Sequence, residues 1–279
     1  MYLINGKEVK KDDFNISVED LVVWRGDGIF EAIRIHGGFL YALDKHMERF
    51  KNSAKKMYFE NIDFIQIEKD LIEVASNFDT GYMRVIIGRG DSIDDFNIYI
   101  FHQEPVSFPE SYSLESQKAH WMSGGDFQIN EIHNIAAKTT SYAMNMNQTR
   151  LAEKNGFTDA LLINRDGVVL EGPSFSIGWI NNGEVFVPDL DLGILDSVTR
   201  RCLIEIGEGG AFSISEKRIS IDELYKVDTV FILSTAKHAI FVNKIDEVQY
   251  SKDPLVSVIK DSFKIEIEKE KTENWKLEG

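Results

Sequence analysis

Three short stretches in the middle of the chain offer three different chemical tools. Lys138 opens KTTSYAMNMNQTR, follows the apolar triplet Ile135-Ala136-Ala137 and stands just before an expected helix. The positive end of a helix dipole and partial burial would both disfavour its charge. A neutral amine so placed is a nucleophile able to form a Schiff base. Glu171 opens EGPSFSIGW at the end of an apolar strand, before the abrupt Gly172-Pro173 turn. A carboxylate there can pair with a protonated ring nitrogen. Ser197, Val198 and Thr199 follow Gly193 and Asp196 at the start of another expected helix, where unpaired N–H groups and hydroxyls suit a phosphate. Taken singly, Lys138 and Glu171 read better as an exposed loop lysine and a turn glutamate, while for the third stretch ordinary N-capping by Asp196 or Ser197 is an even match.

Other candidates lie farther away. Arg49 stands three residues after His46 in HMERF, so both share a helix face and the guanidinium could clasp a phosphate or merely be solvated. His46 is given only a packing or hydrogen-bonding role. Tyr82 and Arg84 alternate along a strand and point to one side, an arrangement suited to a carboxylate. Ser234-Thr235-Ala236 follows an apolar strand and offers hydroxyl and backbone donors or a simple strand-ending turn. No Ser-His-Asp order and no metal-ligand spacing stands out, so no metal is expected. GRGDS lacks the strand–GxGxxG–helix context of a dinucleotide site.

The elements that must position these groups are mixed. Strands are expected around Tyr2 to Asn5, Ile29 to Ile35, Phe39 to Leu43, Tyr82 to Ile87 and Phe96 to Phe101, with a loop over 88–95. Helices are expected from Asp44, as N-cap, to Met57 and from Ile65 to Asn77. The second half alternates: a helix from Ser141 to Asn155, strands at 159–164 and 168–170, and a hairpin through Asn181-Asn182-Gly183. Further on come a helix over 196–207, a Ser220/Glu223 capping box, a strand at 230–233 and a tail helix over 253–271. This is α+β (mixed α/β) architecture. A proline-bearing stretch, HQEPVSFPESY, places the boundary, giving a small N-terminal domain (1–107), a linker (108–118) and a large C-terminal domain (119–279).

The 279 residues carry a net charge of −15, which argues against nucleic acid or an anionic membrane as partner. Cys202 is the single cysteine, so no intrachain disulfide forms, and no run has the length of a membrane span. A reduced, cytoplasmic protein is expected.

Taken together, RGDGIFEAIRI (from Arg25), HMERF, KTTSY, EGPSFSI, GILDSVTR and LSTA resemble the class IV pyridoxal-phosphate aminotransferases over nearly the whole chain. That group contains branched-chain aminotransferases, D-amino acid aminotransferases and 4-amino-4-deoxychorismate lyases. The resemblance implies the two-domain fold type IV and pyridoxal 5'-phosphate as cofactor. It implies that Lys138 carries the Schiff base and moves the α-proton, that Glu171 meets the pyridine nitrogen, and that Leu195 packs on the ring. Arg49, Ser197, Val198 and Thr199 would hold the phosphate, with Ser234 and Thr235 helping. Tyr142, one helical turn beyond Lys138, would bond near the phenolic oxygen, while Phe30, Tyr82, Arg84 and Ala236 would line the substrate side. A homodimer acting on small amino and 2-oxo acids is expected. Two departures stand out. Ser176 replaces the asparagine that commonly ends the glutamate motif, and Asp196-Ser197 replaces Pro-Gly before the phosphate turn, where Asp196 suits a phosphate only if it points away and caps the helix. FEAIR, close to the FEGIR of branched-chain enzymes, favours a transaminase using an apolar amino acid and 2-oxoglutarate. Aminodeoxychorismate lyase and D-amino acid aminotransferase are the alternatives.

Overall fold

Between Gly28 and His36 the side chains alternate, and the burial alternates with them. Ile29, Ile33 and Ile35 are buried, as a strand with one face in a core requires. The exception is Glu31, fully buried among them. A computed structural model describes residues 1–90, 92, 95–119 and 136–278. The loop expected over 88–95 lies partly outside these, as does Ile135. The described chain forms two units, one of 1–107, 137–142 and 269–279, the other of 108–136 and 143–268.

The first unit is built on a six-stranded antiparallel sheet. Its strands are β1 (Tyr2–Ile4), β2 (Lys7–Val9), β3 (Gly28–His36), β4 (Phe39–Leu40), β5 (Thr80–Arg89) and β6 (Phe96–Gln103), in the order β2-β1-β6-β5-β3-β4. A short helix, α1 (Leu21–Trp24), precedes β3. One sheet face carries Ile29, Ile33, Met83, Val85 and Ile100, packed with Met47, Phe50, Ile67 and Leu71 of α2 (Leu43–Lys56) and α3 (Phe64–Ala75). Helix α2 begins one residue before its expected cap. Ala42 is its N-cap in the left-handed region, with its N–H bonded by Glu270, so Asp44 sits in the first turn and complements the dipole instead of capping. The returning strand expected over 39–43 is reduced to β4.

The second unit has an eight-stranded mixed sheet. Its strands are β7 (Ser111–Lys118), β8 (Asp159–Ile163), β9 (Ser176–Asn181), β10 (Glu184–Val187), β11 (Ile214–Glu216), β12 (Thr229–Ser234), β13 (His238–Ile245) and β14 (Val248–Gln249). They run β11-β10-β9-β12-β13-β7-β8, with β14 on β13. The segment 108–118, expected as a linker, therefore supplies β7, which lies parallel to both β13 and β8. The strand expected at 168–170 makes only isolated bridges. Leu114, Ile177, Trp179, Val230 and Ile232 belong to one core, and Ala152, Ala160, Leu162 and Leu170 to another. The helices are α4 (Ala143–Lys154), α5 (Val198–Glu208), α6 (Ile221–Leu224) and α7 (Pro254–Glu278). The Ser220/Glu223 capping box opens α6 as expected. No helix among the described residues is long and apolar enough to cross a membrane.

Candidate active site

In the first unit Lys138 is held by the start of β3. Phe30 N–H donates to Lys138 O at 3.0 Å, Thr140 N–H donates to Gly28 O at 2.8 Å, and Ile29 bridges Thr139. Strand β4 reaches only the far end of β3, so residues 138–140 take up this open edge. The Lys138 N–H is bound by Ser53 Oγ of α2 at 3.1 Å. The glycines of RGDG make the approach possible: a Cβ on Gly28 would stand 3.0 Å from Thr140 Oγ1 and 2.8 Å from Ile87 O. The expectation of a lysine at a helix N-terminus is thus corrected, because α4 begins only at Ala143. Tyr142 likewise precedes α4, and its position comes from a Tyr142 N–H to Thr140 O bond, not from one helical turn. The Lys138 amine lies 3.2 Å from Tyr142 Oη and 4.4 Å from the centre of the Phe30 ring.

Behind Phe30, on the core face of β3, Glu31 forms a closed ionic cluster. Arg49 donates from Nε at 2.6 Å and from Nη2 at 2.7 Å, and His46 Nδ1 lies 2.9 Å from the same carboxylate. Burial pushes the Glu31 carboxyl up, but the charges and hydrogen bonds of Arg49 and His46 outweigh it and hold it well below the usual carboxylate range. Burial lowers His46 more than Glu31 raises it, with Arg49 and Lys138 adding to the lowering. His46 is therefore a neutral imidazole that donates from Nδ1. The bidentate edge of Arg49, expected to clasp a phosphate, is turned to Glu31.

Tyr82 and Arg84 share the opposite sheet face with Phe30, but each has another partner. Register sets Arg34 against Tyr82, and Arg34 Nη1 donates to its hydroxyl at 2.6 Å. Arg84 Nε donates to Gln103 Oε1 at 2.7 Å. Burial lowers Arg84, opposed by Tyr142, Tyr82 and Glu31, and the guanidinium remains a cation.

In the second unit Glu171 Oε1 accepts from Leu195 N–H at 3.2 Å, while Leu162 N–H donates to Glu171 O. Gly172 is required there, since a Cβ would meet the Phe175 ring at 2.1 Å. Ser197 is the N-cap of α5, accepting from Arg200 N–H at 3.3 Å, so Val198 and Thr199 occupy its first turn. Asp196 does not cap the helix; Arg201 Nε donates to it at 2.8 Å. Ser234 ends β12, and its Oγ accepts from Lys237 N–H at 3.2 Å, with Thr235 and Ala236 between them. Ser176 stands opposite Leu233, and its buried hydroxyl has no hydrogen-bond partner among the described residues.

Glu31, Ser53, Arg34 and Gln103 were not among the residues singled out from the sequence. Glu31 carried a signal, an acid at a core position of an alternating strand, and His46-x-x-Arg49 supplied its partners on one helix face. Ser53, Arg34 and Gln103 carried none, because only strand register and helix docking place them. Among the described residues no group of three or more His, Cys, Asp or Glu could hold a metal ion.

The first unit offers an amine, and the second a carboxylate after a strand and hydroxyls beside a helix start; these are the donor types that a phosphorylated aldehyde with a basic ring nitrogen calls for. The comparisons with known proteins agree. The chain is 26% identical over 261 residues to the D-alanine aminotransferase of Bacillus licheniformis, covering 88% of each. It is 27% identical over 257 residues to a putative branched-chain-amino-acid aminotransferase of Methanocaldococcus jannaschii, 87% of each. It is 25% identical over 266 residues to the aminodeoxychorismate lyase of Bacillus subtilis, 90% of this chain and 88% of the lyase. The PLP-bound form of a hypothetical aminotransferase from Mycobacterium tuberculosis shares the fold, with a TM-score of 0.86 at 22% identity, covering 96% of this chain and 98% of that one. Enzymes of class IV use pyridoxal phosphate and act on amino and 2-oxo acids. With residues 28–245 matching the family model for amino-transferase class IV, the chain belongs to the class IV aminotransferases.

Proposed function

We propose that this enzyme moves an amino group between an apolar, branched-chain-like amino acid and a 2-oxo acid such as 2-oxoglutarate, through a Schiff base on Lys138. The observation that carries this proposal is the Lys138 amine over the Phe30 ring and beside the Tyr142 hydroxyl, with Arg84 on the sheet face that bears Phe30. Phe30 and its cross-strand neighbour Ile86 offer an apolar side chain a surface, and Arg84 offers a carboxylate a cation. Tyr82 and Ala236 complete the substrate side in this proposal.

Pyridoxal phosphate supplies the aldehyde that takes up the amino group and the ring that accepts electron density. Lys138 Nζ takes the proton from the substrate α-carbon, held for this by the Tyr142 hydroxyl. The Glu171 carboxylate, oriented by Leu195 N–H, would keep the ring nitrogen protonated, and Leu195 would pack on the ring. The N–H groups of Val198 and Thr199 and the hydroxyls of Ser197, Ser234 and Thr235 would hold the phosphate, with the Arg49 guanidinium, its charge shared with Glu31, as a further cation. A homodimer is part of the proposal, supported by the exposed apolar side chains of Val18, Val23 and Trp24 in the first unit. So is a cytoplasmic location, in keeping with one buried cysteine.

Amino transfer from leucine, D-alanine and glutamate to 2-oxo acids, measured beside pyruvate release from aminodeoxychorismate, tests the substrate. Leucine with 2-oxoglutarate should be the best pair. Similarity to the Bacillus subtilis lyase favours a second reading. Pyruvate formed without an amino acceptor would establish it and overturn the first, whereas preferred transfer from D-alanine would place the enzyme with D-amino acid aminotransferases.

A further inference from the structure

In the second unit, the residue after Ser234-Thr235-Ala236 is a lysine whose side chain turns inward. Its ammonium lies 4.9 Å from the ring centres of both Tyr112 and Phe175, and 5.3 Å from that of Phe108. Tyr112 and Phe175 meet edge to face, with centroids 6.2 Å apart. Burial lowers Lys237 to about 8, with the Asp159 carboxylate opposing it, so the group is a cation at neutral pH. A desolvated cation in contact with several ring faces gains from each quadrupole.

Both ends of this contact lead to groups assigned to the cofactor. On one side, Lys237 N–H donates to Ser234 O at 3.0 Å and to Ser234 Oγ at 3.2 Å, closing the turn that carries Ser234 and Thr235. On the other, the Phe175 ring lies against the Gly172 backbone, where no Cβ would fit, and Gly172 N–H donates to Phe175 O at 2.8 Å. Gly172 directly follows Glu171. The Phe175 ring therefore sits between the Lys237 ammonium and the backbone of the glutamate loop.

We propose that Lys237 is a positioning residue: caged by Phe108, Tyr112 and Phe175, it ties the Ser234–Lys237 turn to the Glu171 loop, so that the phosphate donors and the ring carboxylate keep a fixed separation. The proposal rests on the assignment of these two segments to pyridoxal phosphate. Lys237 touches neither cofactor nor substrate and acts through the turn and through Phe175.

The test is titration of the apo-protein with pyridoxal phosphate, followed by visible absorbance and by quenching of tryptophan fluorescence. Lys237→Met fills the cage without charge, and the dissociation constant should rise about five- to thirty-fold, the range for a desolvated cation–π contact. Lys237→Arg, which keeps a cation able to stack on rings, should stay within about two-fold of wild type. Phe175→Leu should reproduce the loss, and the double variant should lose no more than the worse single one. Wild-type affinity in Lys237→Met, or an equal loss in Lys237→Arg, overturns the proposal. If Lys237→Met does not fold, as judged by circular dichroism, Phe175→Leu decides: loss supports the link and unchanged affinity refutes it. A wild-type chain that binds no pyridoxal phosphate would overturn the cofactor assignment together with this proposal.

Discussion

Around Lys138 in the first unit the polar groups are charged and buried: Glu31 is fully buried, Arg49 is 6% exposed, and His46 completes the cluster. Around Glu171 in the second unit they are held by backbone donors and by hydroxyls. Leu195 N–H meets Glu171, and Ser197 and Ser234 accept from N–H groups of their own turns. The first sets an ion cluster that is costly to disturb behind the strand whose edge carries the amine; the second fixes acceptors and donors through chain geometry. Substitutions should consequently fail differently, those in the buried ion cluster of the first unit through folding, those at Lys138 and in the second unit mainly through chemistry.

The largest effect is expected at Lys138 itself. Lys138→Ala removes the amine and should lower amino transfer by about 10^4-fold or more, while urea unfolding stays near wild type. A large loss of stability as well would blur the contrast, since it would make the amine part of the scaffold.

Glu31→Gln should come next, through folding. It leaves Arg49 buried without its counter-charge, a loss of about 3–5 kcal/mol, seen as a lower urea midpoint. Replacing the pair together, Glu31→Leu with Arg49→Met, should recover much of that stability. The pH dependence has a definite sign. Glu31 is lowered from 4.5 and His46 from 6.5, so the unfolded chain binds more protons than the folded one at acidic pH. Stability should be complete above the His46 reference value, fall as the solution is acidified below it, and fall more steeply below that of Glu31. A urea midpoint independent of pH between 4 and 7 would contradict the cluster.

Glu171→Gln, in the second unit, should leave the urea midpoint unchanged and cofactor binding largely intact, yet slow substrate deprotonation by about 10^2-fold. Full turnover would show that the ring nitrogen is served by another group. The smallest effect is expected at Ser176. Its hydroxyl is buried and has no partner among the described residues, so Ser176→Ala should stabilise the protein by about 1 kcal/mol. Destabilisation by that variant would reveal a hydrogen bond made only when the cofactor is present.

Much of this was legible in the sequence because the relevant signals are local. The strand-forming run around Ile29 to Ile35 marked β3, the three- and four-residue spacing marked α2, an amphipathic pattern marked α3, and Ser220 with Glu223 marked α6. The site proved less legible wherever a side chain's partner is chosen by tertiary register. Tyr82 and Arg84 were expected to act as a pair, yet the β3–β5 register gives Tyr82 to Arg34, and β6 gives Arg84 Gln103. The helix expected from Ser141 begins at Ala143, because Thr140 and Ser141 hydroxyls bond Gly26 O instead of capping it. Arg49 was expected at a phosphate; the acid at a core position of β3 and His46-x-x-Arg49 on one helix face hinted at its Glu31 partner, but only the docking of α2 on β3 joins them.

The central claim is that the reactive amine is Lys138, held on the edge of β3. Borohydride reduction of the protein with pyridoxal phosphate, followed by peptide mapping, tests it most directly, because reduction fixes the cofactor to whichever lysine bears it. The label is predicted on the peptide containing Lys138, at one equivalent per chain, and absent from Lys138→Ala. A label on Lys237 or another lysine, with Lys138 unmodified, would contradict it.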